Sequence, residues 1–217
     1  EDWHTCYLAY ISLGYSTNWS NPDYAVQQAK TALTTYHKIN DDVNNEVLIL
    51  GHIAGYFLTS EELDSALNYY FIGMEIAKKN DLLNSYCEMC MGIAGTYLYK
   101  EENEKALQYA KMGVTASNET TQGCDGRTLA QCYQACDSLE ISKEIYCSIN
   151  YHGTNPMNKY FVFKGLSEIA IQQQDMASLA SYTDSVYESL EDRFLQSQRI
   201  KDEYYQANLN FDVVLSI

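Results

Sequence analysis

Residues 52–77 read HIAGYFLTSEELDSALNYYFIGMEIA, and forty residues on, residues 92–117 read GIAGTYLYKEENEKALQYAKMGVTAS. Ten of the 26 aligned positions are identical without a gap: Ile53/Ile93, Ala54/Ala94, Gly55/Gly95, Leu58/Leu98, Glu61/Glu101, Glu62/Glu102, Ala66/Ala106, Leu67/Leu107, Tyr69/Tyr109 and Gly73/Gly113. Self-similarity at a fixed period marks an array in which each unit buries its apolar face against the next copy. Inside the unit, the apolar-small pair Ile53-Ala54 precedes Phe57 by one helical turn. Ala66 follows Ala54 by twelve residues and leads into Leu67 and Tyr70. Three- and four-residue spacing predicts helices, with small residues letting two backbones approach and aromatics wedging into the next unit. Between the helices lies Thr59-Ser60-Glu61-Glu62. Ser60 or Thr59 is expected to cap the second helix, and the glutamates to complement its dipole. The unit is one helical hairpin.

This apolar-small, aromatic, small-apolar series resembles the tetratricopeptide repeat. The resemblance weakens outward. Leu129-Ala130, Tyr133, Leu139 and Tyr146 carry it in one further unit, with Ser142 in the place of the alanine; Ile171, Asp175, Ala180 and Asp184 carry it in another. At the other end Asn21 is a cap candidate and Pro22 is tolerated in the first turn of the helix that follows. Hairpins are expected at roughly 4–38, 44–80, 84–118, 124–150 and 158–188. A terminal amphipathic helix runs on through Leu190, Phe194, Ile200 and Tyr204. The expected fold is therefore all-α: a right-handed α-α superhelix, or solenoid, of about five such hairpins over residues 1–190, with residues 191–217 as C-terminal capping helix and tail. The 40-residue shift exceeds the family's usual period of about 34. The extra residues fall in Lys78 to Leu83, which predicts a longer second helix or a longer connection. Long units of this kind are similar to those of bacterial regulatory proteins with tetratricopeptide sensor domains. The resemblance thus implies a non-catalytic binding module, the sensory or scaffolding part of a signalling or transcriptional regulator.

Composition narrows the function classes. The 217 residues hold 14 Lys and Arg against 29 Asp and Glu, a formal charge of −15, which repels nucleic-acid backbones. No apolar run reaches the roughly 18 residues of a membrane span. Two prolines and twenty tyrosines suit helices whose phenol hydroxyls stay near water. The chain has no initiator methionine and stops on Val213-Val214-Leu215-Ser216-Ile217, which reads as a piece of a longer protein. Its compartment, cytoplasm or periplasm, is left to segments outside it.

First helices of stacked hairpins line the inner face of such an array. The register puts there Tyr7, Tyr10, Leu48, Leu58, Glu88, Met91, Tyr99, Arg127, Gln131, Gln134 and Gln172, with Gly51, Val162, Gly165 and Ile169 among them. Gly14, Gly55 and Gly95 share one position in three units. A glycine inside a helix costs roughly 1 kcal/mol relative to alanine. Three in phase read as a floor without side chains for a ligand or, the weightier reading, as close helix packing. Relatives in the resembled family that grip acidic chaperone tails do so with lysines, asparagines and an arginine at these positions. Here Arg127 is the one cation, so that function is not implied. A groove of tyrosine, leucine and methionine fits a protein or peptide segment with hydrophobic anchors.

Other chemistry has thin support. Seven cysteines include Cys87-x-x-Cys90 and the pair Cys132 and Cys136. Cys90 falls on the apolar phase, so buried packing is favoured over a redox pair or a metal site. His4, His37, His52 and His152 are scattered along the chain and are read as solvated or locally bonded side chains. Glu61-Glu62, Glu101-Glu102 and Asp41-Asp42 are read as helix-start carboxylates rather than acid and base. The expectation is no enzyme, no cofactor and no metal. The alternatives are a cysteine-based redox or metal protein, or a homo-oligomerisation scaffold in which the near-heptad stretch Phe194 to Phe211 makes a homodimer.

Overall fold

The computed structural model describes residues 9, 11, 12, 14, 21–37, 42–117, 126–149 and 156–215, of which 9, 11, 12 and 14 are helical. The remaining described helices are α1 (Pro22–Tyr36), α2 (Val43–Thr59), α3 (Leu63–Lys79), α4 (Leu83–Tyr99), α5 (Asn103–Ser117), α6 (Arg127–Ala135), α7 (Leu139–Ser148), α8 (Pro156–Gln172) and α9 (Met176–Leu215). The described residues contain no strand. The chain divides into two compact units, Glu1–Ser138 and Leu139–Ile217.

In the first unit each helix packs on the next, and α2 also touches α4 while α4 touches α6. The first helices of successive hairpins therefore form one layer, as stacking of a repeat demands. Ile53, Ala54, Ala66, Ile93, Ala94 and Ala106 are all fully buried, so both copies of the repeat spend the same residues on the same interface. Each buried isoleucine contributes roughly 1.5–3 kcal/mol of hydrophobic stabilisation. The aromatic wedges repeat as well. Phe57 stacks on Tyr69 at 5.5 Å and 19°, and forty residues on Tyr97 stacks on Tyr109 at 5.8 Å and 19°. Ser85 Oγ donates to Asn44 Oδ1 at 2.5 Å, which ties α4 to α2.

The turns explain the forty-residue period and correct two expectations. α2, α3 and α4 each have 17 residues. Their connections place Glu61, Asp81 and Glu101, twenty residues apart, in the left-handed region at φ 61°, 55° and 59°. Each turn closes identically: Glu62 N–H reaches Phe57 O at 2.9 Å and Glu61 N–H reaches Leu58 O at 3.1 Å, with Leu82/Ala77 and Asp81/Lys78, then Glu102/Tyr97 and Glu101/Leu98, as the equivalents. This is the Schellman arrangement, which satisfies the last carbonyls of one helix while reversing the chain in three residues. The segment Lys78 to Leu83 is thus no longer than its counterpart after α2, and the unit is two equal halves of 17 plus three residues. Ser60 and Thr59 do not cap α3. Their hydroxyls donate backwards to Tyr56 O and Gly55 O, and Glu62, at the N-cap position of α3, makes no side-chain cap. The tight turn leaves both hydroxyls on the helix they end. Asn21 does cap α1, accepting from Tyr24 N–H at 3.1 Å ahead of Pro22.

In the second unit α8 packs against α7 and α9. Gln174 repeats the left-handed turn at φ 57°, and Asp175 then caps α9 by accepting from Ser178 N–H at 3.1 Å; the Ser178 side chain first, and this N–H after it, lower the Asp175 pKa. The hairpin expected to end at 188 and the helix expected to follow it are one 40-residue helix, α9. Val186-Tyr187-Glu188-Ser189-Leu190-Glu191 holds no glycine or proline that would break it.

Candidate functional site

The layer made by α2, α4 and α6 buries one side of each helix and leaves the other open. On α2, Val47, Ile49, Leu50, Ile53, Ala54, Tyr56 and Phe57 are buried, whereas Leu48, Gly51, His52, Gly55 and Thr59 stay at least partly accessible at three- and four-residue spacing. On α4 the same phase carries Asn84, Glu88, Met91, Gly92, Gly95 and Tyr99. Leu48 is 39% exposed and Tyr99 71%. Glu88 and Gln131 are exposed; Leu58, Arg127 and Gln134 are half-buried, with Leu58 against the main core. Met91 is half-buried, its methyl 3.1 Å from where a side chain on Gly113 would begin. Gln172 is exposed on α8 of the second unit. Tyr7 and Tyr10 lie outside the described residues.

The glycines separate into two kinds. Among the described residues, a Cβ on Gly95 would meet nothing within 4 Å, and one on Gly55 would meet only Tyr70 Oη, at 3.8 Å. These two open a bare strip at equivalent positions of adjacent first helices. Gly14, the third of the phase, is closed: its Cβ would sit 3.0 Å from Tyr56 Cε2 and 3.2 Å from Ala25 O. Gly92 is filled by the Tyr70 ring and Gly51 by the Met89 methyl, at 2.3 Å and 2.7 Å from the respective Cβ positions. In the second unit Val162 and Ile169 are buried and Gly165 is covered by the Tyr146 ring. These three, expected to line a groove, are core residues, because that side of α8 packs inward and Gly165 makes room for the α7 tyrosine.

Tyr70 reaches from α3 into the seam between α2 and α4, and burial pushes its phenol up to about 12. His52, read from the sequence as a solvated or locally bonded side chain, belongs to the open strip. Its ring stacks on Tyr56 at 6.2 Å and 25°, and burial lowers its pKa, so it is neutral at physiological pH. The signal that finds it is its phase: it precedes Gly55 by three residues.

Cys90 is a buried free thiol, as its apolar phase predicts, and Cys87 is the cysteine that departs from that reading. Cys87 is buried but disulfide-bonded, and since Cys90 is a free thiol the C-x-x-C pair is not the bridge. The partner of Cys87 lies outside the described residues. Burial pushes the Cys90 thiol to about 11 and Cys132 to about 12, and raises Cys136, so these thiols are protonated at neutral pH and poor nucleophiles. Among the described residues no group of three or more His, Cys, Asp and Glu could hold a metal ion, and no helix is long and apolar enough to cross a membrane. A separate cavity of about 500 Å³ opens where α3 ends and α4 begins, lined by Lys78, Leu82, Leu83, Tyr86, Lys111 and Met112. It shares no residue with the open strip.

No protein-family model and no curated protein matches the chain. Solved structures do match it. A Rap protein complexed with Competence and Sporulation Factor superposes with a TM-score of 0.70 at 16% identity, over 84% of this chain and 53% of that one. The tetratricopeptide-like repeats of a putative kinesin light chain from Podosopora anserina give 0.63 at 11% identity, over 84% and 95%. A signal-transduction ATPase of the STAND class with a tetratricopeptide repeat sensor, from Pyrococcus horikoshii, gives 0.54 at 16%, over 88% and 32%. The fold is that of an all-α helical repeat of the tetratricopeptide type.

Proposed function

We propose that this chain is a non-catalytic recognition module that takes a protein or peptide segment with hydrophobic anchors on the open face of its first helices, as the sensory or scaffolding part of a regulator. The observation that carries this reading is the bare strip at Gly55 and Gly95, flanked by exposed Leu48 and Tyr99. Packing among the described residues does not account for glycine at either position, and a backbone approaching that strip does. A Rap protein holding a peptide factor and a STAND protein using such repeats as its sensor support the assignment. The raised thiols speak against a cysteine-based redox activity.

The test is a pair of substitutions that add bulk or charge to the strip without entering the core, Gly95→Leu and Leu48→Glu. Gly95→Leu should melt at or slightly above the wild-type temperature and Leu48→Glu close to it, and both should lose most of the binding to any peptide the wild type selects. Undiminished binding by both would place recognition elsewhere. A second role rests on α9, where Tyr187, Phe194 and Leu195 are 68%, 61% and 58% exposed. These residues suit a homodimer seam. Light scattering of the whole chain, with and without Phe194→Glu and Leu195→Glu, tests it: a monomeric wild type ends that proposal.

A further inference from the structure

The Tyr70 side chain is 9% exposed, and among the described residues its hydroxyl has no hydrogen-bond partner. Buried hydroxyls are nearly always bonded, and leaving one unmade is costly enough that each exception asks for a reason. Its position supplies one. The ring fills the space beside Gly92 on α4, and its Oη is the one atom of the described residues within 4 Å of the Cβ position of Gly55 on α2. The hydroxyl thus comes up in the seam between two first helices, beneath the bare strip. Ala110 stands forty residues after Tyr70, so the neighbouring unit has no such hydroxyl.

We propose that Tyr70 Oη is a ligand-anchoring donor: it gives its proton to a backbone carbonyl of an extended, neutral or basic peptide laid across Gly55 and Gly95. This rests on the reading above and names its chemistry. Adjacent helix axes lie about 8–10 Å apart, and an extended chain advances about 3.3 Å per residue, so it crosses from one glycine to the next in about three residues. Glycine at both positions lets that backbone come down to the helix surface, where a carbonyl can reach a hydroxyl that does not project beyond it. Glu88 beside the strip, neutral His52 and the net charge of −15 set the peptide's charge: acidic segments are repelled, and neutral or basic ones are tolerated or attracted.

The probe is a heptapeptide selected on the wild-type chain from a phage-displayed library, then synthesised and measured by titration calorimetry. Tyr70→Phe removes one oxygen and leaves the ring against Gly92. It should melt at or slightly above the wild-type temperature and bind the heptapeptide about fivefold more weakly. Gly95→Leu should bind at least about tenfold more weakly. Selected sequences should carry no net negative charge. Unchanged affinity in Tyr70→Phe with lost affinity in Gly95→Leu overturns the role of Tyr70 and leaves the recognition face standing. Unchanged affinity in both, or no heptapeptide retained above phage without an insert, overturns this inference and the binding face together. An enrichment of acidic peptides overturns the charge assignment.

Discussion

Alanine at Gly92 and alanine at Gly95 are the same chemical change three residues apart on α4, and they should move stability in opposite directions. At Gly95 the new methyl meets none of the described residues, so only the backbone term acts: helix propensity favours alanine by roughly 0.5–1 kcal/mol. At Gly92 the methyl would lie 2.3, 2.5 and 2.7 Å from Cε1, Cζ and Cδ1 of Tyr70. Ordinary carbon contacts begin near 3.5 Å, so ring and helix must separate by about 1 Å. The ring is planar and buried and cannot fold away, so the strain falls in the range of about 1–3 kcal/mol typical of overpacking. Propensity cancels between the two variants, so their difference isolates this strain. Urea unfolding followed by circular dichroism measures it directly. For a chain of this length about 1 kcal/mol corresponds to roughly 2–4 °C in Tm. Gly95→Ala should therefore melt slightly above wild type and Gly92→Ala below it. In a Tyr70→Leu background the Gly92→Ala penalty should vanish. Equal stabilities for the two alanine variants, or a penalty that persists without the tyrosine, would refute the seam as described.

The other expectations come from the turns, the thiols and the strip histidine. Glu101 sits at φ 59°, so Glu101→Gly should raise stability by about 0.5–1 kcal/mol in the same assay, whereas Glu101→Val should lower it. Iodoacetamide at pH 7.5 should label exposed Cys147 in the native chain and spare Cys132, whose thiol is buried and pushed to about 12, until urea unfolds it; peptide mapping shows which sites react. The folded-state pKa of His52 lies below its unfolded value of 6.5, so below pH 6.5 the unfolded chain binds the proton first. Its contribution is complete above pH 6.5 and is lost as pH falls towards the folded value. In His52→Gln the stability should decline less over that window, and an unchanged slope would contradict the burial of the ring.

The repeat was legible in the sequence because it rests on local chemistry. Ile53-Ala54 with Ala66, and the same residues forty positions on, define which helix faces meet, and Asn21-Pro22 marks a helix start within four residues. The turns were not legible. Their left-handed residues are Glu61, Asp81, Glu101, Asp137 and Gln174, where sequence reasoning looks for glycine. Read as capping sites, Thr59 and Ser60 were the natural candidates, although the backbone alone satisfies the carbonyls there. The inner-face glycines stayed ambiguous because their meaning is set by residues distant in sequence. Gly92 is a packing residue on account of Tyr70, 22 positions earlier, and Gly165 on account of Tyr146, 19 positions earlier. Nothing within one helix distinguishes Gly92 from Gly95.

That distinction joins stability to recognition. Tyr70 needs a glycine beside its ring to enter the seam at all, and Gly92 provides it; once there, its hydroxyl is raised beneath Gly55 with nothing in the described chain to receive it. A phenylalanine would fill the same space without a buried polar atom, so packing by itself does not call for tyrosine at this position. The neighbouring unit shows that the hairpin does not need it either, since Ala110 stands at the equivalent place, buried and apolar. The oxygen is thus a feature of the seam that neither the repeat nor its described core explains. It lies where the bare strip would bring a ligand backbone closest.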